Sequence, residues 1–310
     1  MSIVRPTAPL NRPLISQHSH NPVMESAGGS MPPLLLIHPV GVGLSSRFWD
    51  RFIRRWHAAD PEGELFAPDL IGCGEADCSS DPLTPDDWAQ QLVAMLHERN
   101  DGPAVVVAQG TTLPIALAML ERAPELVCGL VAISPPGWRV LQETFPIKRS
   151  QQLWRWLFRG PVGNLFYRYA RRRKFLKSFS QKNLFAQAKD VDEEWLQALN
   201  EGSRDMNSRW AVYSFLAGFW RRNWEPQLTS LRLPIQIVFG GSATGIGRSR
   251  SWDDLEQRLA TYRDKLPDAV IETIPGRNVL PYESPEDCVN CVRRWFFDQR
   301  WPSSQSRQRT

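Results

Sequence analysis

Short, almost continuously apolar runs recur along the chain, and stretches with helical periodicity separate them. Six of the runs predict buried strands: LLLIH (34–38), LFAPDL (65–70), AVVVAQ (104–109), LVAISP (130–135), IQIVFG (235–240) and VIETIP (270–275). Strands that helices cover on both faces carry apolar side chains on both, so such runs do not alternate with polar residues. Because alternating strands and helices need crossover connections, the sequence predicts an α/β fold with a mostly parallel, doubly wound sheet.

Two of the helical stretches carry start signals. TPDDWAQQLVAMLHERN begins with Thr84 at a predicted N-cap, Pro85 at the first helical position and Asp87 where a capping-box acid belongs. SPEDCVNCVRRWFFDQ repeats the pattern with Ser284 as the predicted N-cap. Both segments are therefore predicted to start as capped helices.

The alternation stops between about residues 146 and 225, where helical patterns and aromatic residues replace strands. We interpret this stretch as a helical cap above the carboxyl ends of the strands, where open parallel sheets bind ligands. The predicted organisation is a mobile N-terminal tail (1–31), an α/β core (32–145 and 226–300), the cap (146–225) and a C-terminal tail (301–310).

Composition narrows the class of protein. The chain has 310 residues, of which 42% are hydrophobic and 23% charged, as in soluble globular domains. No window approaches the ~18 apolar residues of a membrane span, and the N-terminal stretch lacks the apolar run of a signal peptide. We therefore expect a cytoplasmic protein, with peripheral association to a membrane left open.

The five cysteines are scattered, which argues against a disulfide framework. Cys288 and Cys291 form a C-x-x-C inside a predicted helix, without the second ligand pair that a zinc site needs. We interpret them as small apolar helix residues, and we predict neither a metal site nor a cofactor.

The order of four motifs carries a family resemblance. LLLIHPVGVGLSSRFW reads as a strand, His-x-x-Gly and a helix, and LFAPDLIGCGEAD as a strand ending in Asp69 before a Gly-x-Gly turn. VVVAQGTTLPIALAML reads as a strand, a sharp turn and a helix, and IPGRNVLPYESPED closes the series. In this order the motifs resemble the α/β-hydrolase superfamily, in its helical-cap branch, over roughly residues 32 to 300.

The resemblance implies a serine at the sharp turn, called the elbow, a carboxylate after a later strand and a histidine after the last one. AQGTTLPIALA aligns with G-x-S-x-G-G-x-I-A-L-A, which places Gly110 at the nucleophile. The acid position falls in GGSA (240–243), and Asp253 and Asp254 beyond it are predicted to be helical and solvent-facing. Val279 takes the histidine position, and all five histidines precede the elbow: His18, His20, His38, His57 and His97.

Part of the family's machinery has counterparts in this chain. The loop that starts at His38 places the Val40 amide where the family builds an oxyanion hole, and Thr111 follows the elbow with the second amide. Alternatively, both segments are simply turns that the fold needs. His38 and Asp69 match positions that are structural in the family. Thr111 is the fallback nucleophile, although a threonine alcohol needs a base that the sequence does not offer. Alternatively, the hydroxyls of Thr111 and Thr112 cap the elbow helix.

Further predicted contacts of a ligand are Gln109, Gly110 and Val279 at the strand ends and Trp220 from the cap. RWAVYSFLAGFWRRNW (209–224) is predicted to be a buried cap helix whose aromatic face covers the pocket. A hydrophobic small molecule is the predicted occupant.

Residues 148–189 contain twelve Lys or Arg, no Asp or Glu, and many aromatic side chains. Arg171, Arg172, Arg173 and Lys174 form the densest run. One interpretation is a packed cap with solvated charges. Another is a patch for an anionic membrane surface, a membrane-bound protein or an acidic partner. Nucleic acid is the least favoured partner, because no nucleic-acid-binding fold accompanies the run.

Three functional hypotheses follow. The first is a pseudo-hydrolase that binds a hydrophobic or prenyl-like ligand or serves as a scaffold near a membrane. The second is an active esterase or lipase-like hydrolase with a non-standard nucleophile such as Thr111. The third is a protein–protein adaptor with a filled pocket.

Overall fold

The computed structural model describes residues 31–99, 102–246 and 253–301. The predicted tails lie outside the described residues except for Met31 and Trp301. Trp301 packs against Trp295 and Phe296 and donates a hydrogen bond to the Phe296 carbonyl. The chain is therefore held to the core one residue beyond the predicted boundary.

Six strands form one parallel sheet in the order β2-β1-β3-β4-β5-β6. Their bounds are β1 Leu34–Ile37, β2 Leu65–Phe66, β3 Ala104–Gln109, β4 Val127–Ile133, β5 Ile235–Gly240 and β6 Val270–Ile274. The predicted α/β class and parallel sheet are confirmed.

The α-helices alternate with these strands. Their bounds are α1 Asp50–Ala59, α2 Pro85–Arg99, α3 Leu113–Arg122, α4 Trp138–Gln142, α5 Ile147–Leu153, α6 Pro161–Ala170, α7 Arg173–Asn183, α8 Glu193–Gly202, α9 Arg209–Leu216, α10 Glu225–Ser230, α11 Leu255–Lys265, α12 Leu280–Glu283 and α13 Pro285–Asp298. Residues 134–234 between β4 and β5, here called the insert, contain only helices and connecting turns.

Two strands differ from the sequence prediction in their bounds, and a third differs in its burial. β2 has only two residues because Ala67 to Leu70 turn away from the sheet, and β4 begins three residues early at Val127. β6 is an edge strand that pairs only with β5, so its side chains are partly exposed rather than buried on both faces. The apolar run at 270–275 therefore overstated the burial of this strand.

The capping predictions have different outcomes. At α2, the Asp87 carboxylate accepts from the Thr84 amide at 2.7 Å and from its hydroxyl at 2.6 Å, which confirms a reciprocal cap. At α13, Ser284 is the N-cap residue and Pro285 the first helical residue, as predicted, but the Ser284 side chain makes no capping hydrogen bond. Ser284 also closes α12, and its backbone is set by that preceding turn.

Apolar side chains alternate between the two faces of the sheet. Leu35 and Ile37 point to the layer of α2 and α3, whereas Leu34 and Leu36 point to the layer of α1 and α13. This double coverage explains why β1 is apolar at every position.

The insert is fixed to the core through α8. Arg51 of α1 lies 2.5 Å from carboxylate oxygens of Asp192 and Glu194. Gly43 approaches α8 so closely that an added Cβ would lie 1.9 Å from the Leu199 carbonyl oxygen. These contacts hold the insert beside the His38 loop, at the carboxyl end of the sheet.

Candidate functional site

The elbow, residues 109–112, joins β3 to α3 through a tight turn. Gly110 has φ +63°, a left-handed conformation that glycine adopts without steric cost. A Cβ at this position would meet only the Ser134 carbonyl oxygen, at 3.9 Å. The turn thus has the backbone geometry and the free space for a displayed side chain, and glycine stands there.

The two threonines of the elbow differ. The Thr112 hydroxyl donates to the Gln109 carbonyl at 2.9 Å and does not accept from a helix amide, so the predicted N-terminal cap is wrong for this residue. Thr111 is partly exposed, whereas Thr112 is buried. Thr111 is therefore the accessible alcohol of the elbow.

His38 is fully buried, and both of its ring nitrogens are used. Nε2 accepts from the Leu70 amide at 3.0 Å, so Nδ1 carries the proton and donates to the Pro39 carbonyl at 3.0 Å. Burial lowers the pKa of this imidazole. His38 braces its loop, as predicted, and it has no free nitrogen for proton transfer.

Two neighbours of His38 complete this side of the site. The Val40 amide makes no hydrogen bond within the described part of the chain, and Val40 is partly exposed. Asp69 accepts from the Ser46 amide at 2.7 Å and from the Glu75 amide at 2.9 Å, which supports its structural interpretation. An unpartnered amide remains at the loop where the family's oxyanion hole is built.

The loop after β5 brings no carboxylate from residues 241–243, and Asp253 differs from its prediction. Asp253 is buried, not solvent-facing, and forms a two-pronged ion pair with Arg258 at 2.6 and 2.7 Å. Arg258 also donates to the Pro135 carbonyl at 3.2 Å. The adjacent Asp254 caps α11 by accepting from the Gln257 amide. Asp253 is thus neutralised by a structural arginine.

Val279, at the predicted histidine position, is buried in the apolar layer of α1 and α13. Its neighbour Asn278 donates from Nδ2 to the carbonyls of Asn183 and Thr244, at 2.8 and 3.1 Å. The Asn278 carbonyl accepts from Gln109 Nε2 at 2.7 Å. These bonds tie the last strand's loop to the elbow, the insert and the loop after β5.

The insert covers the same region with apolar packing. Phe185 is fully buried against Trp195 and Tyr282, at ring distances of 5.2 and 6.1 Å. The Ala186 amide donates to Glu283 Oε1 at 2.5 Å. Burial raises the pKa of the Glu283 carboxyl. Phe185 of the insert therefore belongs to the same buried apolar cluster as Val279.

Trp220 does not match its predicted role. Its ring is buried, stacks on Phe215 at 5.1 Å and donates to the Phe215 carbonyl. Phe215 in turn contacts Trp88 of α2, so the pair packs the insert onto the core. Trp220 is a packing residue, and the predicted pocket wall is wrong at this position.

Sequence reasoning missed Ser134. It follows β4 with φ +48° and is buried, and its Oγ has no partner among the described residues. Gln109 Oε1 is also buried without a partner. Two unsatisfied polar atoms therefore lie on residues that adjoin Gly110. No sequence signal marks Ser134, because its position beside the elbow depends on the pairing of β3 with β4.

Two surface pockets lie away from the elbow. One, of about 430 Å³, is lined by Arg51, Arg54, Arg55, Ala58 and Pro285. The other, of about 370 Å³, is lined by Asp81, Pro82, Gln151, Trp154, Arg155, Arg159 and Phe219.

The predicted basic run lies at the junction of α6 and α7. Arg171 donates to the Ser203 and Arg204 carbonyls, and Arg173 pairs with Glu193. The Arg172 guanidinium lies 5.8 Å from the Tyr169 ring centre, and Lys174 is exposed. Three of the four residues, Arg171, Arg172 and Arg173, therefore make contacts within the insert.

Cys288 and Cys291 are buried in α13, and burial raises the pKa of both thiols. In the described ranges, no group of three or more His, Cys, Asp or Glu is placed to hold a metal ion. Within the same ranges, no helix has the length and apolar character to cross a bilayer.

Comparison with known proteins gives consistent matches. A family model described as "Alpha/beta hydrolase family" matches residues 34–290. Lipase LipV of Mycobacterium tuberculosis (strain ATCC 25618 / H37Rv) is 33% identical over 102 residues, which cover 33% of this chain and 36% of the lipase. The match thus spans little more than a third of that relative's length.

Solved structures match over most of the chain. A thermophilic esterase from Thermogutta terrifontis has a TM-score of 0.65 and 17% identity, over 87% of this chain and 90% of the esterase. A bromoperoxidase from Bacillus anthracis has a TM-score of 0.66 and 13% identity, over 87% and 93%. At such identities the likeness establishes the fold and not the reaction.

Proposed function

The chain belongs to the alpha/beta hydrolase family, and we propose that it is a member that binds a ligand at its elbow without cleaving it. The observation that carries the proposal is Gly110. Its left-handed backbone and open surroundings suit a displayed nucleophile, yet it has no side chain with which to form an acyl-enzyme.

The lack of an available proton acceptor among these groups also supports a role without cleavage. Val279 aligns with the family's histidine position, and it is buried in one apolar cluster with Phe185, while its neighbour Asn278 is held by hydrogen bonds. His38 has both nitrogens engaged. Asp253, a buried carboxylate between β5 and α11, is paired with Arg258. General base catalysis needs a group within hydrogen-bond reach of the alcohol, and none of these groups is free to serve.

Binding is supported by the polar atoms that the elbow leaves unsatisfied. Val40 offers a backbone amide, and Thr111 lies in the first turn after β3, where amides lack helical partners. Gln109 Oε1 can accept hydrogen bonds, and the Ser134 hydroxyl can both donate and accept them. A hydroxyl or carboxyl group at one end of a hydrophobic molecule satisfies this set. Buried polar atoms without partners cost about 1–3 kcal/mol each, which such a ligand would offset.

Turnover of p-nitrophenyl acetate and butyrate tests the proposal. We expect no protein-dependent hydrolysis by the wild type, and the same background rate from Thr111→Val, which keeps the side-chain shape without the hydroxyl. Saturable turnover by the wild type that Thr111→Val abolishes would overturn the proposal.

Binding is tested separately by native mass spectrometry of the full chain with a medium-chain fatty acid and the corresponding alcohol. We expect a one-to-one complex that Gly110→Leu weakens by filling the space at the elbow. Equal binding by both proteins would remove the elbow as the site.

An active hydrolase with Thr111 as the nucleophile is the second candidate. It is favoured by the partly exposed Thr111 hydroxyl and by the 33% identity to a lipase over about a third of that protein's length. In that case ester turnover depends on Thr111 and is insensitive to Gly110→Ala. The esterase assay thus separates the two candidates.

A further inference from the structure

Helix α6 of the insert exposes a continuous apolar stripe. Val162, Leu165, Phe166 and Tyr169 have the spacing i, i+3, i+4 and i+7, and they are 57%, 70%, 40% and 52% exposed. The opposite face of α6 is already packed, with Tyr167 fully buried. The stripe is therefore a second apolar face that the fold does not cover.

Exposed apolar side chains also flank α6 in the chain, and at its C-terminal end they contact the stripe. Trp156, just before the helix, is 80% exposed and is followed by Leu157 at 41%. After the helix, Tyr169 contacts Phe175 at 5.2 Å, and Phe175 stacks on Phe179 of the same α7 face at 6.1 Å. Eight of the thirteen large apolar side chains exposed in the described ranges lie between residues 147 and 179, so the exposed apolar surface is concentrated in this one segment of the insert.

The chain segment that carries the patch is rich in basic residues. Residues 148–189 hold twelve Lys or Arg and no Asp or Glu. Within the described residues, Arg173 is the one member of the twelve that has a carboxylate partner, Glu193. By contrast, α1 arginines such as Arg51 are paired with acids. The charge around the patch therefore stays uncompensated and favours an anionic partner.

We propose that residues 147–182, here called the basic–aromatic face, dock on the surface of an anionic lipid bilayer. Trp156, Leu165 and Phe166 enter the boundary between headgroups and acyl chains, while the flanking Arg and Lys contact lipid phosphates. Docking does not depend on whether the elbow is catalytic, since none of these residues lies at the elbow.

The aliphatic members of the face favour a bilayer over a nucleic acid. Single-stranded nucleic acids are held by stacking on aromatic rings within a basic groove. Leu157, Val162 and Leu165 cannot stack on bases, and they alternate with aromatic residues on a helix surface and not in a groove. Acyl chains accept aliphatic and aromatic side chains equally.

Vesicle flotation of the full chain tests docking. We expect the protein to float with phosphatidylcholine vesicles that contain phosphatidylglycerol and to dissociate from them as the salt concentration is raised. It should not bind vesicles of phosphatidylcholine alone. Trp156→Ser with Leu165→Ser should lower the affinity at least tenfold, because two apolar anchors are lost. The matched control, Phe297→Ser, removes an exposed apolar side chain on α13 and should leave flotation unchanged.

A charge series tests the electrostatic part. Arg168→Gln with Arg172→Gln and Lys174→Gln should weaken binding about 100-fold at low ionic strength, since each basic residue near an anionic surface contributes about 1 kcal/mol, or about fivefold. The control neutralises three exposed arginines outside the face: Arg122, Arg232 and Arg263. It should have little effect. All substituted side chains are exposed, so thermal unfolding should match the wild type.

Three outcomes would overturn the proposal. The first is no flotation with anionic vesicles at low salt. The second is flotation that the control triple lowers as much as the triple within the face. The third is tighter binding to single-stranded RNA than to anionic vesicles, with an affinity for RNA that Trp156→Ser with Leu165→Ser leaves unchanged. That result would identify a nucleic acid as the partner.

Discussion

Replacing Gly110 by alanine tests whether the elbow keeps room for a side chain. The left-handed backbone costs a non-glycine residue about 1–2 kcal/mol. The added Cβ meets a single atom, the Ser134 carbonyl oxygen at 3.9 Å, which is ordinary van der Waals contact. We therefore expect Gly110→Ala to lower the free energy of unfolding by about 1 kcal/mol, measured by urea denaturation.

Gly43→Ala is the matched comparison. Gly43 has a similar φ of +77°, but its Cβ would lie 1.9 Å from the Leu199 carbonyl oxygen. Because backbone cannot move aside without shifting α8, overpacking adds about 1–3 kcal/mol to the conformational cost. If Gly110→Ala destabilises the protein as much as Gly43→Ala, the elbow is closed, and the geometric basis of the proposed function is lost.

Two more predictions concern buried polar groups. Arg258→Leu leaves Asp253 buried without its partner and should cost about 3–5 kcal/mol in urea denaturation. Arg263→Leu, on the exposed face of the same helix, should cost little, and equal losses would contradict the assignment. Burial lowers the pKa of His38 in the folded protein. Between this lowered pKa and the unfolded pKa, the unfolded chain therefore binds a proton that the folded chain does not. The stability from neutral His38 is complete above the unfolded pKa of about 6.5 and falls as the pH drops below it. NMR should show Nε2 unprotonated in the folded protein at about pH 6, and a protonated imidazole there would refute the burial argument.

The local elements were readable because their causes are local. The runs at 104–109 and 235–240 match β3 and β5 residue for residue, since both strands are covered on both faces. The cap at Thr84 and Asp87 forms because the two residues are one helical turn apart. Ser284 has the same sequence pattern and makes no cap, because α12 ends at that residue and sets its backbone.

At the candidate site, the residue types were readable but several environments were not. Gly110 and Val279 follow from the order of motifs along the chain. Asp253 was expected in solvent, and its burial depends on Arg258 folding back toward Pro135, more than a hundred residues away. Trp220 was expected to line a pocket, yet Phe215 covers it.

By itself, the sequence determined the α/β class, the order of strands and helices, the residues at the elbow and the excess of positive charge between 148 and 189. These are properties of composition and of spacing within one or two helical turns. Only the tertiary structure decided which polar atoms are left unpaired beside Gly110 and which face of α6 stays exposed. Both depend on which segments that are far apart in the sequence pack against each other, and no local sequence pattern specifies those contacts.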